Sequence, residues 1–490
     1  MQAAADAQRR WRVLTDQFHF PSLVELRQAL KFEKTPNPCD EGLRSICWRV
    51  LLLHEDIDDL SLWLSQVVSS RDAYTALKAH FLKYIKCSPD DLSFAADPLA
   101  EDEESPWQIL RQDESIRNEI SQDVERCLQE NDFFRKPCTK TRMLDILFIY
   151  AKLNPDLGYR QGMHELLAPV LWVVTQDAID KTSLDSTEQS QKEEVLFQIL
   201  DSDYIEHDAF TIFCAIMHTA KQFYEHDDVT NSGVRQYPSP IIVRSQHIHQ
   251  VVLRSVDGDL ADHLQEIEIL PQIFLTRWIR LLFGREFPFR DVLLMWDLLF
   301  AENLSLSLIE LVCVAMLLRV RQQLLESDYS SALGLLLRYP SVHPHRAVDF
   351  VLDALFLAQN LSPEGASSLI QKYSGVTPRF RGRTPNSPLK SRTARAPPPK
   401  NHYVNKESHL RVVDNTSPKR SPVRIGLDTF FQDVSEGLYR RTEAWGVARA
   451  VRGAVGEARR NMEQMRSSAS SPGQMHRAPQ RPNLPFHDFP

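Results

Sequence analysis

A chain of 490 residues, 43% of them hydrophobic, exceeds one average domain and has ample material for a large buried core. Its net charge of −8 is unevenly divided: residues 376–490 carry 21 Lys or Arg against 9 Asp or Glu, so a basic end of +12 follows an acidic body of −20. Such a body argues against nucleic acid as the main partner, because phosphate binding draws on clustered Lys and Arg.

The seven cysteines, Cys39, Cys47, Cys87, Cys127, Cys138, Cys214 and Cys313, are odd in number and include no CxxC pair. They suit a reduced, cytoplasmic protein. The N-terminus has no signal pattern, and the longest central apolar run, Leu166 to Val174, falls far short of the ~20 residues that span a bilayer. Membrane contact is expected to be at most peripheral.

In chain order, Val13, Phe18 and Phe20 form a lead-in over residues 1–19, and Leu23, Leu26 and Leu30 then mark one helical face. Leu43, Ile46, Cys47, Val50 and Leu51 form a second stripe, with Arg44 and Trp48 one turn apart on one side. Residues 89–106 hold Asp90, Asp91, Asp97, Glu101, Asp102, Glu103 and Glu104 between prolines and read as an acidic surface loop. Helical spacing resumes at Ile109 and runs through Ile116, Ile120, Val124 and Leu128. It returns at Met143, Leu144, Leu147, Phe148 and Ala151, where Asn154-Pro155 stops it. Leu166 to Val174 is apolar all round, which predicts a helix buried at the centre.

Lys181 to Glu194 and Glu225 to Pro240 read as loops. Further helices are expected at Leu260 to Leu264, Ile273 to Phe283, Val292 to Phe300, Leu304 to Arg321 and Ala332 to Leu337. No sustained period-two alternation occurs, so the body over residues 20–375 is expected to be all-α.

Residues 376–424 contain eight prolines, twelve basic residues and few large apolar side chains, the composition of a disordered linker. Five Ser-Pro or Thr-Pro pairs, at Thr377, Thr384, Ser387, Ser417 and Ser421, fit proline-directed phosphorylation. Leu427, Phe431, Val434, Leu438, Trp445, Ala448 and Val455, interleaved with arginines, predict an amphipathic basic helix over 425–466, ahead of a disordered tail at 467–490.

Several chemistries lack their patterns. There is no GxxxxGK[ST] loop and no GxSxG elbow. His164-Glu165 opens like a zinc-protease HExxH, but the second histidine position is Ala168. His247 with His249, and His343 with His345, have no further ligand at metal-binding spacing, so no metal site is expected.

What remains is the stretch 120–163. Asp123 and Arg126 are three residues apart on a helix whose apolar face is Ile120, Val124 and Leu128, so both are expected to project away from the core. Tyr159-Arg160-Gln161-Gly162-Met163 opens the apolar helix, with Gln161 facing outward and Gly162 allowing another backbone to approach. An arginine that neutralises phosphate charge and a glutamine that orients water are worth about 10³ to 10⁵ in the rate of nucleotide hydrolysis by small GTPases. This pair suits a surface that lends both groups to a nucleotide bound by another protein.

Glu41-Gly42-Leu43-Arg44-Ser45-Ile46-Cys47-Trp48, then Ile120-x-x-Asp123-x-x-Arg126, then Tyr159-x-Gln161-Gly162-Met163 resemble three successive fingerprints of the TBC-domain Rab GTPase-activating proteins. The run from Arg277 to Pro288, followed by Met295-Trp296-Asp297, resembles the C-terminal half of that family, so the likeness covers about residues 20–340. It implies a two-lobed helical TBC domain that stimulates GTP hydrolysis by a Rab in trans.

Carried over by residue, the resemblance makes Arg126 the arginine finger and Gln161 the water-orienting glutamine. Asp123 and Tyr159 would hold them, and Arg44 and Trp48 would brace the finger helix. The chain would need no cofactor of its own, since the Rab carries GTP and Mg²⁺. The family often has Thr after the arginine, where this chain has Cys127.

Finer likeness within the family, over Ser105-Pro106-Trp107, residues 160–169 and the Arg277 run, implies a late-endosomal Rab and peripheral association with endosomal membranes. It also implies a connection to retromer, with Pro98 and Leu99 as the candidate contact. The alternatives are a non-catalytic Rab-binding or retromer-linked adaptor, and a membrane scaffold built on the 425–466 helix.

Overall fold

The computed structural model describes residues 4–14, 23–31, 37–53, 60–86, 105–179, 191–225 and 238–378. Within them every regular element is helical, apart from one isolated bridge between Ile179 and Asp201. The all-α expectation therefore holds for the described residues.

The longer helices of the first half are α1 (Ala4–Arg12), α2 (Leu23–Lys31), α3 (Arg44–Leu53), α4 (Leu60–Phe81), α5 (Pro106–Glu125), α6 (Pro137–Leu153), α7 (Met163–Asp177), α8 (Gln191–Ile199) and α9 (Ile205–Ala220). Those of the second half are α10 (Pro240–His247), α11 (Gly258–Glu266), α12 (Gln272–Arg280), α13 (Phe289–Ala301), α14 (Leu306–Arg319), α15 (Tyr329–Leu337), α16 (Asp349–Gln359) and α17 (Pro363–Ser374). Their ends follow local chemistry. Proline takes the first turn of α5 and α6, where its missing N–H costs nothing. The Ser362 side chain caps the N-terminus of α17, which ends on Gly375 in the left-handed region.

In the first group α7, apolar on nearly every side, packs on α9, α3 and α6, while α5 lies against α6 and α7. In the second group α14 is the buried centre, covered by α16 and α17. Helix α13 joins the two by packing on α3 and α2, and the buried side chains of both groups form one continuous core. The central helix expected from Leu166 to Val174 is borne out, with only Trp172 partly exposed.

Several boundaries move. The expected lead-in over residues 1–19 contains α1, whose Ala7 and Trp11, with the following Leu14, enter the core. Gly42 makes room for this segment, because a Cβ there would lie 2.5 Å from the Leu14 side chain. Arg10 also pairs with buried Asp177 at 3.1 Å. The expected loop from Lys181 to Glu194 gives way to α8 at Gln191. Of the acidic loop expected over 89–106, residues 89–104 lie outside the described residues, Ser105 precedes α5 and Pro106 is its first residue.

The helix expected from Ile273 to Phe283 stops at Arg280, and Leu282 and Phe283 take positive φ. That expected from Leu304 to Arg321 begins only at Leu306, after Asn303 and Leu304 take positive φ. Pro98 and Leu99, and apart from residues 376–378 the expected linker, amphipathic helix and tail, lie outside the described residues.

Candidate functional site

The site lies where the C-terminus of α5 meets the N-terminus of α7. Helix α5 stops at Glu125, and Arg126 forms its cap with its N–H returned to Asp123 and Val124 carbonyls. The end of a helix carries a partial negative charge that favours a cation at this position. The Arg126 side chain is 59% exposed, and its guanidinium donates to Asp123 Oδ1.

Asp123 does not project outward with Arg126, as the spacing suggested; it is 5% exposed. Ile120 and Val124 share the buried side of α5 with it, and the helix ends before Arg126 completes that pattern. Burial is tolerated because each carboxylate oxygen has a donor: Arg126 on Oδ1, and the Tyr159 hydroxyl on Oδ2 at 2.6 Å. The Tyr159 hydroxyl sits 3.0 Å from His164 Nδ1 in turn. Burial, then Asp123, holds the Tyr159 phenol well above its ordinary pKa, so it remains a donor.

Gln161 is exposed in the turn before α7, two residues past buried Tyr159. Gly162 adopts φ 106°, a left-handed conformation that disfavours side chains. What approaches it are side chains and not the backbone anticipated from the sequence: an added Cβ would lie 2.9 Å from Leu281 and 3.4 Å from the Tyr224 hydroxyl. Tyr224 is itself tied to the Arg280 carbonyl at 2.9 Å. The turn presenting Gln161 is thus pressed against Tyr224 and Leu281, both distant in sequence.

Arg126 and Gln161 therefore stand at the ends of two packed helices, linked by the Asp123–Tyr159 bond across 36 positions of chain. Arg44 and Trp48 do not brace this helix as expected. Both are buried and donate to Asp297 of α13, Arg44 Nε at 3.1 Å and Trp48 Nε1 at 2.7 Å. Residues missed in the sequence are Glu165, in the first turn of α7, and Arg285, which pairs with it at 2.5 Å. Their separation by 120 positions hid the pairing, although both stood inside conspicuous runs.

A profile of the Rab-GTPase-TBC domain matches residues 41–325. The chain is 38% identical over 330 residues to human TBC1 domain family member 5, a match covering 64% of this chain and 41% of that protein, so it spans only about two-fifths of that relative. Human TBC1 domain family member 13 is 27% identical over 383 residues, covering 62% of this chain and 87% of the relative. The Ypt/Rab-GAP domain of Gyp1p superimposes with a TM-score of 0.52 at 18% identity, over 72% of this chain and 99% of that domain, a likeness of fold.

Proposed function

Because the chain belongs to the Rab-GTPase-TBC family, whose profile covers residues 41–325, we propose that it accelerates GTP hydrolysis by a Rab GTPase, lending Arg126 and Gln161 to the partner's nucleotide. Hydrolysis passes through a transition state with charge spread over the transferred phosphoryl oxygens, so catalysis is mostly positioning and electrostatics. An exposed guanidinium neutralises that charge and an exposed amide orients water. GTP and Mg²⁺ arrive with the partner.

The observation that carries this reading is the Asp123–Tyr159 bond, which fixes the mounts of two exposed groups relative to each other. An ordinary surface ion pair needs no buried tyrosine behind it. The late-endosomal choice of Rab, and a retromer contact through Pro98 and Leu99, rest on sequence likeness alone.

Single-turnover hydrolysis across a set of purified Rabs tests the proposal. Arg126→Ala is expected to reduce the stimulated rate by about 10³-fold or more, and Gln161→Ala by about 10²-fold, with both variants folded. If no Rab is accelerated, or if both variants match the wild type, the adaptor reading takes its place. A preference for a Rab of another compartment would remove the late-endosomal assignment.

A further inference from the structure

Behind the arginine and its carboxylate lies a third group that the expected roles do not use. His164 is 2% exposed, with Nδ1 3.0 Å from the Tyr159 hydroxyl and 3.4 Å from Asp123 Oδ2. Asp123 already receives Arg126 on one oxygen, and an ionised carboxylate can only accept. The Tyr159 hydroxyl at 2.6 Å must therefore give its proton to Asp123. Its oxygen is left to accept, and the donor within reach is His164 Nδ1–H.

The other ring nitrogen agrees with this tautomer. With the proton on Nδ1, a neutral imidazole carries only a lone pair on Nε2, and Nε2 is buried without a hydrogen-bond partner. Burial lowers the imidazole pKa despite the carboxylates of Glu165 and Asp123, so the ring is neutral at neutral pH. Glu165 Oε1 lies 3.7 Å from Nε2, but the other oxygen of Glu165 is engaged by Arg285 at 2.5 Å. The charged groups around the ring are thus Asp123 and Arg126 from the α5 end, Glu165 from its own helix and Arg285 from the turn after α12.

We propose that His164 is a positioning residue for Arg126: its Nδ1–H orients the Tyr159 hydroxyl towards Asp123, and Asp123 so anchored holds the guanidinium. The consequence for catalysis rests on the GTPase-activating reading, whereas the anchoring can be measured on this chain alone.

The probe is phenylglyoxal, which modifies accessible guanidinium groups, with labelling of Arg126 followed by peptide mass spectrometry. His164→Leu keeps bulk and removes the donor; His164→Asn places an amide N–H where Nδ1 stood. Arg126 should label several-fold faster in His164→Leu than in the wild type, approaching Asp123→Asn, while His164→Asn stays near wild type. If His164→Leu does not fold, His164→Gln, whose amide reaches towards the Nε2 side, takes its place with the same expectation. In a Tyr159→Phe background the loss of His164 should add nothing, because the middle of the relay is already gone.

Wild-type labelling in the donor-free variant, equal labelling of the Asn and Leu variants, or an additive effect on Tyr159→Phe would each overturn the proposal. With a responsive Rab, His164→Leu should lower kcat roughly tenfold at unchanged KM, less than the ~10²-fold that a full ~1 Å misplacement costs, because Asp123 stays in place and only its anchoring is loosened. Faster labelling with no Rab accelerated would uphold the positioning role and refute the GTPase-activating reading.

Discussion

Asp297 is fully buried yet accepts from four donor groups: Arg44 Nε and Nη2, Trp48 Nε1 and Asn37 Nδ2, at 2.7 to 3.3 Å. Burial works against the charge on Arg44, but Asp297 more than offsets it and raises the guanidinium pKa above its usual value. Removing the carboxylate would strand a buried cation, so Asp297→Ala is expected to cost about 3–5 kcal/mol of folding stability. Urea unfolding measures this, and a loss below about 1 kcal/mol would show that the guanidinium finds water or another partner. Cys127, beside the exposed arginine, behaves differently. Burial, then Glu165, pushes its thiol up to about 12, so it packs as a small neutral group where the family often has threonine.

Among the helices, legibility followed the strength of the local apolar pattern. Helix α7 could be read from Leu166 to Val174 because eight of those nine side chains are buried. Helix α1 could not: among its residues whose burial is described, Ala7 and Trp11 alone face the core, and Arg9, Arg10 and Arg12 mask the stripe. The exposure of Arg126 and Gln161 was legible from their place beside apolar faces. The burial of Asp123 was not, since its partner Tyr159 lies 36 residues away and Arg44 meets Asp297 across 253, distances at which helical periodicity carries no information. If α1 is part of the body, deleting residues 1–14 should expose the seat of Trp11 and Leu14 and cost about 3–5 kcal/mol. An unchanged midpoint in thermal unfolding would show that this segment adds nothing to the stability of the body.

Over the whole molecule, burial depresses the pKa of His80, His164, His207 and His249 alike. A histidine held neutral contributes its full stability above the unfolded value of about 6.5 and loses it as pH falls towards the lower folded value. The melting temperature is therefore expected to drop between about pH 7.5 and pH 5.5; a flat or rising profile would contradict the burial of these rings. Asp113, Asp177, Glu286 and Asp297, raised by burial, act in the opposite sense as pH falls through their raised folded values.

The tether on Arg126 has a further consequence for encounter with a partner. A free arginine side chain carries ~2 kcal/mol of rotamer entropy. Here the bond to Asp123, itself held by Tyr159, restricts that freedom when the chain folds. In the proposed role, docking against a partner's nucleotide would then have less disorder left to remove, and more of the attraction would appear as rate.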